Sequence, residues 1–178
     1  MSEAIPTVED IRSRIRNIPD FPKPGIQFKD ITPVLADPRL LAACVDMLTA
    51  NWPTGSIDIV AGIEARGFIF GAACATKLGA GFVPIRKKGK LPAETIEATY
   101  DLEYGQNTIA VHKDAITPGQ HVLLIDDLLA TGGTARAAAS LIDRLGGKLM
   151  EIAFLIELEG LGGRSRLADR SVRSVIRF

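Results

Sequence analysis

The chain has 178 residues, and 47% of them are hydrophobic, which is enough for one compact domain with a substantial core. Its 21 basic and 21 acidic residues give a formal net charge of zero, which argues against a nucleic-acid-binding or membrane-surface protein and makes any anion site a local feature. Cys44 and Cys74 lie in apolar runs, the first twenty residues lack a signal-peptide core, and no apolar stretch reaches ~18 residues, so we expect a soluble cytoplasmic protein with reduced thiols.

The N-terminal third predicts two helices separated by a shaped loop. Thr7 and Asp10 have the spacing of a capping box, and we expect their helix to continue through Ile18 and to end at Pro19. Residues 20–30 contain two prolines, a glycine and two phenylalanines, which indicates a rigid loop without regular structure. Asp37 and Pro38 then predict the start of a helix whose apolar stripe reaches Trp52.

The middle of the chain predicts two strand and loop units. Residues 57–63 are a short apolar run of strand length, followed by a loop at 64–67 and a helix of small residues at 68–78. A second strand at 81–85 leads into the basic run 86–90. The polar stretch up to Gln106 predicts no regular element, whereas Ile109 and Val111 alternate with polar neighbours, which is typical of a half-exposed strand.

The last third predicts a buried parallel strand and the elements that follow it. Residues 122–125 are uniformly apolar, as expected of a strand covered on both faces, and an alanine-rich helix follows through Leu145. Residues 149–158 and 172–176 predict two further strands. This alternation favours an α/β fold with a doubly wound, mostly parallel central sheet flanked by helices, in which ligands bind at the carboxyl ends of the strands.

The segment 126–134 carries the strongest chemical signal. Two adjacent carboxylates, Asp126 and Asp127, stand at the end of the buried strand, and a Thr-Gly-Gly-Thr loop opens the next helix. Backbone N–H groups at a helix start attract phosphate, threonine hydroxyls can donate to it, and glycines with positive φ let the backbone approach closely. Ionised carboxylates accept hydrogen bonds from sugar hydroxyls. The segment therefore predicts a sugar-phosphate site, with a divalent cation nearby.

A purely structural interpretation of this segment is an Asp-capped helix after a tight turn. We favour the binding site because the apolar strand, the double acid, the glycine loop and the helix occur together. The lysine of a Walker loop is missing, and no G-x-G-x-x-G follows a strand, so nucleotide hydrolases and dinucleotide oxidoreductases are disfavoured.

The segment resembles the phosphoribosyl-diphosphate signature of the type I phosphoribosyltransferases, and the chain is similar to the adenine-specific branch of that family over nearly its whole length. Four further blocks carry the resemblance, at residues 20–31, 64–68, 86–92 and 100–105. The resemblance implies one domain over residues 1–178, with a small N-terminal hood at about 1–35 that covers the base. It implies transfer of a phosphoribosyl group from phosphoribosyl diphosphate to adenine, giving AMP and pyrophosphate, with Mg²⁺ held mainly by substrate and water, in a homodimer that binds neither nucleic acid nor membrane.

The resemblance also assigns site residues. The candidate ligands of phosphoribosyl diphosphate are Asp126, Asp127, Leu128, Leu129, Ala130, Thr131, Gly132, Gly133 and Thr134. The candidate pyrophosphate ligands are Glu64, Ala65, Arg66, Lys87 and Lys90, in a loop whose relatives hold a cis peptide and carry serine at the position of Ala65. The adenine hood is assigned Gln27, Phe28 and Lys29. Residues 92–106 resemble a mobile catalytic loop, and the candidate catalytic residues are Glu103, Arg66 and Tyr104.

Local sequence alone leaves ordinary roles open for several of these residues. Arg66 could be a surface arginine at a helix start, the lysines of the basic run a solvated turn, and Glu103 an exposed turn residue. Phe28 could be a core aromatic, and His112, His121, Glu157 and Arg164 are interpreted as structural. Two other functions also stay open: a phosphoribosyltransferase for another nucleobase, and a non-catalytic regulator that senses phosphoribosyl diphosphate.

Overall fold

A computed structural model describes residues 4–101 and 105–178. The chain forms two compact units, Met1–Met47 and Leu48–Phe178, and each is considered separately below. No helix within the described ranges is long and apolar enough to cross a membrane. The predicted hood at 1–35 stays a prediction.

The first unit combines short helices with a two-stranded ribbon. Its elements are α1 (Val8–Arg14), β1 (Arg16–Pro19), β2 (Gln27–Asp30), α2 (Thr32–Leu35) and the start of α3 (Pro38–Leu48). The Thr7 capping box is confirmed, since the Thr7 hydroxyl accepts from Asp10 N and the Asp10 carboxylate accepts from Thr7 N. The N-cap at Asp37 is also confirmed, because its Oδ1 accepts from Arg39 N at 3.0 Å.

Two boundaries in this region differ from the sequence expectation. The first helix ends at Arg14 rather than near Ile18, because residues 16–19 instead pair antiparallel with residues 27–30. The Arg16 guanidinium, 2.6 Å from the Asp30 carboxylate, reinforces this ribbon. Residues 27–30, expected to be irregular, are therefore a strand, since backbone pairing with a distant segment outweighs the local turn signals.

The second unit is built on a seven-stranded sheet. Its strands are β3 (Ile59–Ile63), β4 (Gly81–Lys87), β5 (Thr95–Asp101), β6 (Gln106–His112), β7 (His121–Leu129), β8 (Lys148–Glu157) and β9 (Val172–Arg177), in the spatial order β5-β6-β4-β3-β7-β8-β9. The pairs that join β4, β3, β7, β8 and β9 are parallel, and those of β6 with β4 and β5 are antiparallel. The predicted mostly parallel α/β sheet is confirmed.

Two helices cross between these strands and cover the core. The helix α4 (Gly67–Leu78) connects β3 to β4, and α5 (Gly133–Arg144) connects β7 to β8. The buried side of α5, including Ala138 and Leu141, packs against Val122, Leu124 and Phe154 of the sheet. Since β4 and β8 lie on opposite sides of the β3–β7 pair, right-handed crossovers place α4 and α5 on opposite faces.

The unassigned polar stretch contains a strand. Residues 95–101 pair antiparallel with residues 106–112, from Thr95 opposite His112 to Asp101 opposite Gln106. The half-exposed pattern expected around Ile109 and Val111 is only partly correct, because both side chains are at least 97% buried. Sequence periodicity missed β5 because its stability comes from the ladder with β6, which a local window does not reveal.

A buried polar network joins the far edge of the sheet to the segment after α3. The Glu151 carboxylate on β8 is 5% exposed and accepts hydrogen bonds from Asn51 Nδ2 (3.0 Å), Trp52 Nε1 (3.1 Å) and Arg173 Nη2 (3.0 Å). The sequence predicted that Trp52 lies on the apolar stripe of α3, but this helix ends at Leu48 and Trp52 lies beyond it. Its indole N–H instead donates to the Glu151 carboxylate.

Candidate active site

The candidate site lies where the order of the sheet reverses. The neighbours β3 and β7 are parallel, and their crossovers lead in opposite directions to β4 and β8. Such a switch point leaves a crevice at the carboxyl ends of the two strands, where open α/β sheets bind ligands. The loop 64–67 follows β3, and the segment 126–134 follows the buried part of β7, so both predicted loops meet at this crevice.

The segment 126–134, called the cup below, encloses a small cavity. Asp126 to Leu129 extend β7, Gly132 precedes α5, and the cavity of about 80 Å³ is lined by Asp126, Leu128, Ala130, Thr131, Gly132, Gly133, Thr134, Ala135 and Phe154. No side chain caps the start of α5, so its first N–H groups are available to an anion. The structure therefore brings the predicted phosphate-binding residues together around one cavity.

Close backbone packing holds the cup in shape. Gly132 has φ +79°, and a Cβ there would lie 2.5 Å from the carbonyl oxygen of Gly163. A Cβ on Gly163 would in turn lie 2.1 Å from the carbonyl oxygen of Ala130. The sequence predicted that Gly132 and Gly133 have positive φ. Gly133 does not, because it is the first residue of α5.

A buried acid and an arginine join the two loops. Asp127, 6% exposed, forms an ion pair with Arg66, with Nε and Oδ2 2.8 Å apart. Asp126 lines the cup and accepts from Asp127 N at 2.8 Å. Burial, followed by the neighbouring Asp127 charge, raises the pKa of Asp126 well above its ordinary value. The carboxylate pair and Arg66 thus form one interacting group at the switch point.

The first residue of the 64–67 loop contacts the basic run 86–90, which begins in the last two residues of β4. Glu64 Oε1 lies 2.5 Å from Lys90 Nζ, and Oε2 accepts from Lys87 N at 3.0 Å. Arg86 Nε is 3.4 Å from the same Oε2. The Glu64–Ala65 peptide is cis, as the family resemblance implies.

The three lysines of the basic run have different surroundings. Lys90 pairs with Glu64, whereas Lys88 pairs with Glu97 of β5 at 2.8 Å. Within residues 4–101 and 105–178, the Lys87 ammonium forms no ion pair. The prediction that Lys87 and Lys90 contact pyrophosphate remains a prediction.

The remaining predicted site residues lie elsewhere. Gln27, Phe28 and Lys29 are on β2 in the first unit, where the Phe28 ring packs edge-on against Phe21 with centroids 5.1 Å apart. Glu103 and Tyr104 lie outside the described residues. Their proposed catalytic roles remain predictions.

The acids and basic groups interpreted as structural have structural contacts. Glu157, 4% exposed, receives two hydrogen bonds from Arg164, at 3.0 and 2.5 Å, which lower the pKa of its carboxyl against the effect of burial. His121 N donates to Asp58, and His112 Nε2 accepts from Ala93 N at 3.4 Å.

Sequence reasoning missed two neighbours of the cup. Gly163 packs against it, as described above, and the Tyr100 ring lies 3.2 Å from where a Cβ on Gly133 would stand. The Gly162-Gly163 pair after β8 is a sequence signal for a turn, but it does not indicate that this turn packs against the cup. Tyr100 had no such signal, because its strand was not predicted.

The acidic side chains at the cup are the candidate ligands for the Mg²⁺ that the family resemblance implies. In the part of the chain that the structure describes, no cluster of three or more His, Cys, Asp or Glu side chains could hold a metal ion. Asp126 and Asp127 are nevertheless adjacent at the cup. Mg²⁺ commonly binds through one or two carboxylates together with substrate phosphates and water, so these residues fit that mode of binding.

The contacts of Glu64 predict a measurable pH dependence of stability. Burial favours a higher pKa, but the hydrogen bonds from Lys90 and Lys87 N and the nearby Arg86 guanidinium outweigh it and lower the pKa of Glu64 from 4.5 to about 2. Its folded pKa is depressed, so its contribution is complete above about pH 4.5 and is lost as the pH falls towards 2. We expect the difference in unfolding free energy between wild type and Glu64→Gln to shrink between pH 6 and pH 3 in denaturant titrations. A difference independent of pH would contradict this.

Comparison with known proteins agrees with the geometry. The phosphoribosyl transferase domain model matches residues 32–176. The adenine phosphoribosyltransferase of Acidothermus cellulolyticus is 59% identical over 169 residues, which cover 95% of this chain and 96% of the relative. The crystal structure of adenine phosphoribosyltransferase from Rhodothermus marinus superposes with a TM-score of 0.92 at 53% identity, over 96% of this chain and 98% of that one. The Saccharomyces cerevisiae adenine phosphoribosyltransferase, solved with adenine and an imino-altritol bisphosphate, has a TM-score of 0.89 at 40% identity, with 94% and 97% of the two chains covered.

Proposed function

The chain belongs to the phosphoribosyltransferase family, among its adenine phosphoribosyltransferases, and on that premise we propose how its residues carry out the reaction. It transfers the 5-phosphoribosyl group from phosphoribosyl diphosphate to adenine, giving AMP and pyrophosphate, which is a purine salvage reaction. The observation that carries the assignment is the near full-length similarity to adenine phosphoribosyltransferases, together with a phosphate-sized cup at the switch point of the sheet.

The cup binds the 5′-phosphate in this proposal. Its cavity borders the start of α5, where N–H groups and the helix dipole favour an anion by roughly 0.3–1 kcal/mol per contact. The hydroxyls of Thr131 and Thr134 add donors. Leu128 and Leu129 belong to the segment as backbone, and the Leu129 side chain is buried and anchors the turn.

Asp126 and Asp127 accept hydrogen bonds from the ribose hydroxyls. Asp127 is paired with Arg66, and in this proposal substrate binding gives each member of the pair a second partner. The sugar hydroxyls donate to Asp127, and the diphosphate binds Arg66, because each ion then meets a group of suitable hydrogen-bonding type.

The loop 64–67 and the basic run hold the diphosphate. Ala65 offers its backbone amide only, Arg66 its guanidinium, and Lys87 and Lys90 their ammonium groups. A bound Mg²⁺ would neutralise charge on the diphosphate, with Asp126 and Asp127 as the carboxylates near enough to the cup to assist.

The first unit supplies the base site. The Phe28 ring offers a flat face for a purine, and main-chain groups of Gln27 and Lys29 read its edge. A mismatched hydrogen-bonding edge can cost about 10⁴–10⁵-fold, which is sufficient to select adenine over oxopurines.

Catalysis in this proposal is chiefly positioning and charge stabilisation. As pyrophosphate departs, the ribose becomes cation-like, so the base and the sugar must be held in line and water excluded. Glu103 acts as general acid or base at the purine, and Tyr104 covers the reaction centre. The segment 92–106, which includes the strand β5 (Thr95–Asp101), closes over the substrates in this proposal.

The decisive assay is pyrophosphate release from phosphoribosyl diphosphate with adenine, with and without Mg²⁺. We expect release only when adenine is present, and a strong dependence on the metal. In competition among adenine, hypoxanthine, guanine and orotate, adenine should be consumed first. Preferred use of another base would assign the enzyme to a different branch of the family.

The assembly and location of the protein are also proposed. The family resemblance implies a homodimer in which basic side chains reach the neighbouring site, and sedimentation of a fully active monomer would contradict this proposal. The buried free thiols of Cys44 and Cys74 support a cytoplasmic location.

A further inference from the structure

The side chain of Glu64 is unusual for a loop expected to meet an anion. Its carboxylate is 11% exposed and stands at the carboxyl end of β3, next to the end of β4. Pyrophosphate is itself strongly negative, so a carboxylate in direct contact with it would be repelled. The contacts that Glu64 makes point to a different role.

Among the residues that the structure describes, the Glu64 carboxylate has three contacts, and they go to one five-residue segment, 86–90. Lys90 Nζ lies 2.5 Å from Oε1, Lys87 N donates to Oε2 at 3.0 Å, and Arg86 Nε stands 3.4 Å from Oε2. A single side chain just after β3 therefore contacts the last two residues of β4, Arg86 and Lys87, and Lys90 in the turn that follows.

The segment 86–90 also closes on itself around this carboxylate. Arg86 Nη1 donates to the carbonyl oxygen of Lys90 at 3.1 Å, and Lys90 N donates to that of Lys87 at 3.3 Å. The turn is held to β6 by Lys88 N, which donates to the carbonyl oxygen of Thr108 at 3.0 Å. Without Glu64, two neighbouring cations would repel each other across the turn, and the Lys87 amide would lose its acceptor.

We propose that Glu64 is a positioning residue that shapes the segment 86–90 for pyrophosphate and acts only through Lys90, Arg86 and the Lys87 amide. The inference rests on the proposed function and refines it, since it gives Glu64 an indirect role beside the direct ligands Arg66, Lys87 and Lys90. The carboxylate holds the backbone from which the Lys87 side chain extends and keeps Arg86 and Lys90 from repelling each other.

The test is pyrophosphate binding by calorimetry to wild type, Glu64→Gln, Lys90→Ala and the double variant. Glutamine keeps the size and removes the charge, and we expect the Kd for pyrophosphate to rise about tenfold or more, as for loss of charged hydrogen bonds. Because Glu64 acts through Lys90, its substitution should have a clearly smaller effect on the Lys90→Ala background. AMP binding, which depends on the cup, should be unchanged in Glu64→Gln.

The matched control is Glu159→Gln, which removes an exposed ion pair with Arg177 in the same unit and should leave both ligands' Kd values unchanged. An unchanged pyrophosphate Kd in Glu64→Gln, full additivity with Lys90→Ala, or an equal loss of AMP binding would each overturn the proposal. Wild type that binds no pyrophosphate would overturn it as well. Failure of the proposed function is a separate result, namely wild type that binds pyrophosphate but forms no AMP.

Discussion

Arg66→Ala is expected to reduce kcat/KM for phosphoribosyl diphosphate by about 10³-fold, because it removes a preorganised charge at the leaving group and a contact that positions the sugar. Arg66 lies 2.8 Å from Asp127, which is 6% exposed, so the substitution also leaves a nearly buried carboxylate without this partner. Asp127→Asn should cause a loss of similar size, since the neutral amide binds both Arg66 and the ribose hydroxyls less strongly.

The loss of kcat/KM in Glu103→Gln is to be compared with the losses in Arg66→Ala and Asp127→Asn. Proton transfer by a positioned group contributes about 10²–10⁴-fold, and glutamine retains hydrogen bonding, so we expect a loss near 10²-fold. Steady-state kinetics on the three variants, with circular dichroism to confirm folding, would establish the ranking. Arg66→Lys, which keeps the charge, should recover part of the activity. A larger loss in Glu103→Gln than in Arg66→Ala and Asp127→Asn would mean that proton transfer, rather than charge and position, dominates the barrier.

Gly163→Ala is expected to displace the backbone of the cup and so weaken catalysis, although Gly163 is not part of the cup. The new Cβ would stand 2.1 Å from the carbonyl oxygen of Ala130 and 2.9 Å from Leu129 Cδ1, and the first of these is backbone that cannot rotate away. The cup must therefore shift, and a displacement of about 1 Å can cost about 10²-fold in rate. We expect at least that loss in kcat/KM for phosphoribosyl diphosphate, with a fall in Tm of several degrees from about 1–3 kcal/mol of overpacking.

Gly160→Ala is the matched control for this substitution. Gly160 lies three residues earlier in the 3₁₀ turn Glu159–Leu161, and a Cβ there would meet no atom within 4 Å. Kinetics and thermal unfolding of Gly160→Ala should match wild type. Similar behaviour of the two variants would show that the Gly163 contact does not hold the cup in place.

The elements that the sequence predicted well are those with strong local signals. The buried strand before Asp126, the small-residue helix α4 and the parallel order followed from apolar runs and from the alternation of strands and helices. The cup was predictable because its acids, threonines and glycines are consecutive in the chain. Its preformed cavity and its neighbour Gly163 required the fold, since they depend on a segment more than thirty residues away.

The errors have a common physical cause. The ribbon of β1 with β2 and the hairpin of β5 with β6 are stabilised by pairing between segments, and neither leaves a clear local periodicity. The partners of Glu64 were hidden in the same way, because the lysines that follow β4 reach it only when β3 and β4 are neighbours. The choice among Lys87, Lys88 and Lys90 could not be made from spacing for that reason.

The only tryptophan of the chain gives the second unit a built-in optical label. The Trp52 indole is hydrogen-bonded to Glu151 on β8, in a network that includes Arg173 on β9 and not the cup. Its emission therefore reports whether the β8–β9 edge is intact, and saturation of the cup should leave the emission largely constant. The native-state emission can thus be compared among the variants with or without ligand, whereas a shift of the unfolding midpoint on adding ligand reports binding to the folded state.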